Sequence, residues 1–498
     1  MQALPDNIFI VASCNPHRGN SLAVHTKSAE MWLNPSYYVR QLHPTLEFLK
    51  WDYGSLDKSQ EHEYIQAKMK MIEKEMNDFE VCCLTELIVD SHEQMRKYAL
   101  DQLSRCKIPD AKKCSKCCVS QRDIQRVFTF YSKLKSIYEA CKLHSESRDN
   151  NRHAIVVALG IVYYMRLSTE YRRQYREFLD SKNLLGMQVT FSDAFNEDLD
   201  WFAEQISLPP GIAKTQALKE NLFAIIMCTM THTPLIITGA PGSSKTLSFN
   251  LVITNLRGQE SKNTYFRNTK LFPSLDPRYY QCSRRTTSSE IEKLFTQAVN
   301  RQKSHSLARL PIYCVVFLDE AGLPQPKHEA LKVLHSHLDQ LKVSFVAITN
   351  IILDAAKTNR AVSLFRQENS SEDLEILAKG CLCPTPDNPP KELKDDVERV
   401  VNFCPAYLET MSDNRFKDFF GLRDFIHFVN FLRRKRGKAG ALLTERRVLQ
   451  ALERNFNGLE DCKTIWNRFL SKVNNGENKQ LVRIAFFSSD LTSAHCQS

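Results

Sequence analysis

No stretch of this chain stays apolar for long. The longest such run, Ala154 to Met165, covers 12 residues, against the roughly 20 that a bilayer-spanning helix needs. No transmembrane segment is therefore expected. The first residues, Met1-Gln2-Ala3-Leu4-Pro5-Asp6, lack the basic region and apolar core of a secretory leader. A dense array of paired cysteine and histidine knuckles is also missing, although the chain has 16 cysteines. Without a leader those cysteines read as reduced thiols of a cytoplasmic protein rather than as a disulfide framework. The net charge of +10 is spread over 498 residues, 25% of them charged. At that density it reads as a solvated surface, so no nucleic-acid partner is expected. A chain of this length exceeds what one core supports, and two or three structural units follow.

What is there centres on Leu235-Ile236-Ile237-Thr238-Gly239-Ala240-Pro241-Gly242-Ser243-Ser244-Lys245-Thr246. An apolar strand enters a glycine-containing turn, then a lysine and a hydroxyl residue, then a helical pattern. This nearly satisfies the phosphate-loop pattern G-x-x-x-x-G-K-[ST]. Backbone N–H groups of such a loop, with the helix N-terminus behind it, hold phosphates. Lys245 would reach the outer phosphates and Thr246 would ligate magnesium. Ser244 departs from the pattern, standing where its last glycine belongs.

Apolar runs Tyr313 to Leu318, ending in Asp319-Glu320, and Val343 to Thr349, ending in Asn350, predict two further strands. A helix over Thr215 to Met230 precedes the loop. Another starts at Thr287-Ser288-Ser289-Glu290, a capping box. Strands alternating with helices predict a parallel α/β sheet that binds its ligand beyond the carboxyl ends of the strands. Gly239, Asp319, Glu320 and Asn350 all fall there. Earlier in the chain, helices are expected over Glu61 to Met76, Leu87 to Leu103, Arg122 to Lys135 and, as one long helix, Ala154 to Leu179. Residues 184–212, with Pro209-Pro210-Gly211, read as a linker. The sheet-bearing unit is expected over 213–370 and a helical lid over 371–458, including Phe425 to Arg436 and Glu445 to Asn455. A weakly patterned tail follows over 459–498, where a further module could begin.

Two stretches recur in order. Ile10-Val11-Ala12-Ser13-Cys14-Asn15, within the buried strand read over Asn7 to Asn15, matches Phe345-Val346-Ala347-Ile348-Thr349-Asn350. Ser120-Gln121-Arg122-Asp123-Ile124 matches Gly421-Leu422-Arg423-Asp424-Phe425. From asparagine to arginine the spacing is 107 residues in the first copy and 73 in the second. The lysine- and cysteine-rich stretch Cys106 to Cys118 accounts for part of the difference. Together the pairs predict two tandem copies of one module, the first lacking its front half.

Hydrolysis of a phosphoanhydride needs charge neutralisation, a magnesium site and an oriented water. Asp319 is placed to hold magnesium through its water shell, Glu320 to act as general base on the attacking water, and Asn350 to orient that water. An acidic pair ending a strand and a turn asparagine are the plainer readings. Weaker signals also have plain readings. Cys114-Ser115-Lys116-Cys117 has zinc spacing but no second paired knuckle, which leaves loop thiols as the simpler account. Arg433-Arg434-Lys435-Arg436 before Gly437 reads as cations in the last turn of a helix with a capping glycine.

Taken together, the phosphate loop, the Asp-Glu strand, the strand ending in asparagine and a lid carrying an arginine resemble the AAA+ ATPases. The wording is closer still to the mysterin-type family of giant AAA+ ubiquitin ligases. The likeness runs through Gly239 to Thr246, Phe317-Leu318-Asp319-Glu320-Ala321-Gly322-Leu323-Pro324, Asp354 to Leu364, Cys14 to Ser21 and Trp51 to Leu56, and it covers most of residues 5 to 460. A serine before the loop lysine looks like that family's own habit. The resemblance implies a P-loop AAA+ core with helical lid subdomains that binds ATP and magnesium. Residues 1–183 would be the C-terminal part and lid of a first module. It also implies that Asn350 is the first sensor, Arg360 the arginine finger, with Arg366 its competitor, and Arg423 the second sensor. In tandem AAA+ rings the finger comes from the neighbouring module. Arg360 would then serve the module before it, and Lys245 would need a finger from a module after it. The implied partners are further AAA+ modules and ubiquitin-pathway proteins, and the implied activity is ATP hydrolysis, slow in isolation. A non-catalytic scaffold stabilised by nucleotide is the rival. No residue of this chain matches an element of ubiquitin transfer.

Overall fold

The computed structural model describes residues 56–105, 119–143, 149–183, 185, 189–209, 211–325, 330–366, 370–383, 391–412, 421–436 and 445–456. The Asn7–Asn15 strand, Cys14 to Ser21, nearly all of Trp51 to Leu56, the Cys106–Cys118 loop and the 459–498 tail lie outside the described residues. The chain divides into two compact units. One comprises Met1–Phe128 with Leu353–Arg360, the other Thr129–Ile352 with Ala361–Ser498.

In the first unit, helices α1 (Lys58–Ile72) and α2 (Asp78–Arg105) pair along buried Ile65, Met69, Val81, Leu84 and Ile88. Asp57 caps α1 by accepting from the Gln60 N–H at 2.8 Å, while the Gln60 side chain accepts from the Asp57 N–H. Buried Glu61 accepts two bonds of 3.0 Å from the Arg96 guanidinium, a bidentate pairing that offsets the cost of burying the charge.

Helix α3 runs Gln121–Cys141, starting where the Arg122-Asp123 motif places it. Asp123 accepts from the Ser120 N–H at 2.9 Å. Asp424 accepts from the Gly421 N–H at 3.2 Å, at the start of a helix over Leu422–Arg436. The two copies of the motif thus share one N-terminal cap, a carboxylate at the third helical position closing on the residue before the helix.

In the second unit, α4 (Asn150–Val162) is buried nearly all round, as a uniformly apolar helix must be. The single helix expected over Ala154 to Leu179 is instead broken. After α4 comes a 3₁₀ turn, Tyr164–Arg166, and then α5 (Thr169–Ser181). Arg172 explains the break, because its guanidinium binds the Leu167 and Met165 carbonyls at 3.2 and 3.0 Å. Those two oxygens are supplied with donors that a continuous helix would have provided from its own backbone. Within the stretch read as a linker, Phe191–Gln205 forms α6 behind a Thr190 capping box and packs on α7 (Gln216–Met230).

The sheet follows. Strands β1 (Leu235–Thr238), β2 (Ser274–Gln281), β3 (Ile312–Asp319), β4 (Ser344–Thr349) and β5 (Val362–Phe365) are all parallel, in the order β2-β3-β4-β1-β5. Helices α8 (Lys245–Asn255), α9 (Ser288–Leu307) and α10 (Leu334–Gln340) fall between strands. Glu290 accepts from the Thr287 N–H at 2.7 Å, as the capping-box pattern requires. The short α11 (Ala355–Thr358) belongs to the first unit. Thr238 pairs with Thr349 across β1 and β4, and Gln281 with Asp319 across β2 and β3. Because all five strands are parallel, their carboxyl ends share one edge. This is the parallel α/β P-loop class that the sequence predicts.

Beyond β5, helices α12 (Ser371–Leu382), α13 (Lys391–Ser412), α14 (Leu422–Arg436) and α15 (Glu445–Phe456) build a second core around Phe403, Tyr407, Phe425 and Phe428. Among the described residues no helix is long and apolar enough to cross a membrane.

Candidate nucleotide-binding site

Strand β1 delivers the chain into the loop Gly239–Thr246 at the carboxyl edge of the sheet. Each turn of the loop has its own local cause. Gly242 takes φ 89, a conformation that favours glycine. A Cβ there would come within 3.1 Å of the Arg423 backbone nitrogen and of the Leu422 Cβ. The first turn of α14 is therefore seated directly on the loop, and a side chain there would push against it. Ser244, at φ 56 and ψ 18, is left-handed too. The backbone at the position where the pattern expects glycine is glycine-like although the residue is not.

Lys245 is 6% exposed. Its Nζ donates to the Gly239 and Ala240 carbonyls, both at 2.8 Å, to Ser243 Oγ at 3.2 Å and to Asn350 Oδ1 at 3.1 Å. Asn350, at the end of β4, donates through Nδ2 to both carboxylate oxygens of Glu320, at 3.1 and 2.9 Å. Glu320 follows β3 with φ 53, and its N–H donates to Asp319 Oδ1 at 3.0 Å. Thr246 Oγ1 lies 3.5 Å from Asp319 Oδ2. Lysine, asparagine and glutamate thus form one connected chain, with a hydroxyl and a carboxylate at its rim. Hard oxygen donors of that kind suit magnesium.

Burial lowers the Lys245 pKa, Glu320 and Asp319 raise it, and Arg423 and Arg366 lower it, leaving it at about 8. Arg423, though exposed, therefore lies within electrostatic reach of the lysine. Cys282, just past β2, has its thiol pushed up to about 12 by burial and then by Asp319, Glu290 and Glu320. It is an inert neighbour.

Arg360 is half-buried in the first unit, in the segment Leu353–Arg360, while Lys245, Asp319, Glu320, Asn350 and Arg423 all belong to the second. In the first unit, Arg126 pairs with Asp123 at 2.7 Å and donates to the Asn359 carbonyl at 2.9 Å, next to Arg360. Arg366 belongs to the phosphate-loop unit and is buried. Its backbone N–H donates to the Thr238 carbonyl at 2.7 Å, and its Cβ is so close to Gly239 that a Cβ there would meet it at 2.4 Å. Its guanidinium binds Glu220 at 2.5 Å, and Arg172 binds the same carboxylate at 3.0 Å. Burial pushes the Glu220 carboxyl up, but Arg172 and Arg366 together hold it down to about 2. Beside it, Asn221 Nδ2 donates to the Ser243 carbonyl at 3.1 Å. This support under the loop is not apparent from motifs. One signal was available, since Glu220 and Asn221 lead straight into the apolar run Leu222 to Cys228 of the same helix, and polar groups drawn in beside such a run need partners.

Residues 211–373 match the family model described as the RNF213 AAA domain. Over 92% of its length the chain is 29% identical to the human E3 ubiquitin-protein ligase RNF213 and 28% identical to the mouse protein of that name. It is 27% identical over 91% of its length to the zebrafish E3 ubiquitin-protein ligase rnf213-beta. The chain spans 9% of the length of each of these relatives. Among solved structures, that of C. elegans PCH-2 overlies 55% of this chain and 71% of its own, at 14% identity and a TM-score of 0.30. That likeness is too loose to inform the site.

Proposed function

We infer, from an AAA+ module of the RNF213 type at residues 211–373, that this chain binds ATP with magnesium and hydrolyses it. The observation that carries the reading is the continuous contact of Lys245, Asn350 and Glu320, with the first turn of α14 seated on Gly242. In this reading the Gly239–Thr246 backbone and Lys245 hold the phosphates. Thr246 and Asp319 hold magnesium, which neutralises charge on the outer phosphates when bound. Glu320 takes a proton from the water that attacks the γ-phosphorus, and Asn350 fixes that carboxylate and orients the water. Arg423 brings a cation from the lid. A lid helix that touches both the loop and the lid core is suited to turning phosphate chemistry into movement.

Arg360 lies outside the unit that holds the phosphate loop. We assign it the role of finger for a nucleotide held by a neighbouring module, not for the one at Lys245. Residues 213–370 are then the nucleotide-binding subdomain and 371–458 its lid. Residues 1–183 would be the C-terminal part and lid of a preceding module, joined through 184–212. The relatives are ubiquitin ligases by name, so the larger role proposed is ATP-driven rearrangement in a cytoplasmic multi-module assembly. Further AAA+ modules and ubiquitin-pathway proteins would be its partners.

The test is Glu320→Gln. It should leave nucleotide affinity within about threefold and reduce phosphate release by roughly 10²–10⁴. Lys245→Ala should abolish binding. Tight binding with no turnover in the unaltered chain, even supplied with neighbouring modules, would sink the hydrolase reading in favour of a nucleotide-stabilised scaffold.

A further inference from the structure

Away from the phosphate loop, the described residues bring together two groups of side chains with mixed metal-ligand atoms. In the first, His305 Nε2 and Cys314 Sγ lie 3.0 and 3.7 Å from a single oxygen, Asp276 Oδ2, and Arg301 bonds to that same atom. This is a hydrogen-bond hub that already holds a cation. The second group is built differently.

Cys82 and Glu86 are one turn apart on α2, which puts their side chains on one face. His62 reaches them from α1, and one ligand atom of each residue lies within 4.8 Å of the other two. Cys82 Sγ is 3.8 Å from Glu86 Oε1. Among the described residues, neither ring nitrogen of His62 has a hydrogen-bond partner, and Glu86 pairs with no lysine or arginine. A nitrogen, a sulfur and an oxygen donor therefore converge with no resident cation between them.

We propose that His62, Cys82 and Glu86 bind a divalent transition-metal ion, zinc foremost, with water as the fourth ligand. The donor set suits zinc, whose bonds of about 2.3 Å to sulfur and 2.0–2.2 Å to nitrogen and oxygen put tetrahedral ligands about 3.3–3.8 Å apart. The sulfur–oxygen separation already meets that spacing, and rotamer adjustment of the imidazole closes the rest. The two helices are held by the buried residues between them, so the frame exists before the metal arrives. Half-buried His62 and Cys82 and exposed Glu86 leave the site open to solvent. On binding, the metal replaces the Cys82 thiol proton, which leaves to water, and no electron is transferred. The ion would clip α1 to α2.

The test uses the full chain, stripped of metal and kept reduced, titrated with cobalt(II) and then with zinc as competitor. One equivalent should give the near-ultraviolet thiolate band and the visible bands of tetrahedral cobalt, and zinc should bleach both. Cys82→Ser should remove the thiolate band. Glu86→Gln, a surface change that leaves the fold intact, should weaken binding at least tenfold, and so should His62→Gln. Absence of the bands in the unaltered chain overturns the proposal. It is equally overturned if the bands survive Cys82→Ser and vanish in Cys114→Ser/Cys117→Ser or in Cys314→Ser.

Discussion

Glu220→Gln tests the support beneath the phosphate loop. The substitution keeps the shape of the side chain and removes its charge, leaving two guanidinium groups, buried Arg366 and partly buried Arg172, facing a neutral amide. Two routes give the cost. Breaking a buried ion pair by removing one partner typically costs about 3–5 kcal/mol, because the other charge stays buried without compensation. Independently, a carboxyl held from 4.5 down to about 2 represents about 3 kcal/mol of linkage. Because the folded pKa is depressed, that stability is present above pH 4.5 and is lost as pH falls toward 2. Denaturant unfolding of the unaltered chain and the variant at pH 7 should therefore differ by about 3–5 kcal/mol, and the gap should shrink in acid. Nucleotide affinity should fall as well, since the backbone of Arg366 is bonded to Thr238 and its Cβ packs against Gly239, so a shift of the unpaired side chain reaches the loop. Adding Arg366→Met to the variant should cost at least about 1 kcal/mol less than the same change alone, because the two residues act as a pair. A loss below about 1 kcal/mol at pH 7, with unchanged nucleotide affinity, would refute the argument that this ion cluster supports the loop.

Two more predictions concern the loop itself. With Lys245 at about 8, nucleotide affinity measured by fluorescence titration should fall about tenfold from pH 7 to pH 9, as the free lysine loses its proton. A flat profile would place the charge that holds phosphate elsewhere. Ser244 occupies a left-handed conformation that costs an L-residue about 1–2 kcal/mol. Ser244→Gly should bind nucleotide as well or better, while β-branched Ser244→Val should weaken it at least tenfold in the same titration.

The sheet was partly legible before folding, and which parts were legible has a simple cause. Strands β1, β3 and β4 sit in the middle of the sheet and must be apolar on both faces, so Leu235–Thr238, Ile312–Asp319 and Ser344–Thr349 declare themselves. The two strands that escaped reading, β2 and β5, are the edges. An edge tolerates Pro277 and half-exposed tyrosines in Ser274–Gln281, and Val362–Phe365 is too short to show a period. Breaks are harder to read than helices. Nothing in the apolar pattern from Ala154 onward announces that Arg172 will bind the Met165 and Leu167 carbonyls and stop the helix.

By itself the sequence determined the local chemistry. A glycine-containing turn between strand and helix, an acid pair after one buried strand and an asparagine after another are short-range patterns, and parallel pairing brings their ends to one edge. Only the tertiary structure decided what depends on residues far apart in the chain. Lys245 meets Asn350 105 residues away, and Glu220 meets Arg366 146 residues away. Helix α14 settles on Gly242, and His62 meets Cys82 and Glu86 across two helices. Arg366 is the clearest case. It is a competitor for the finger in the sequence, and the fold makes it a buried prop under the loop. Residues that look alike along the chain acquire different roles because packing, not spacing, sets which charges are taken out of water and what they must pair with there.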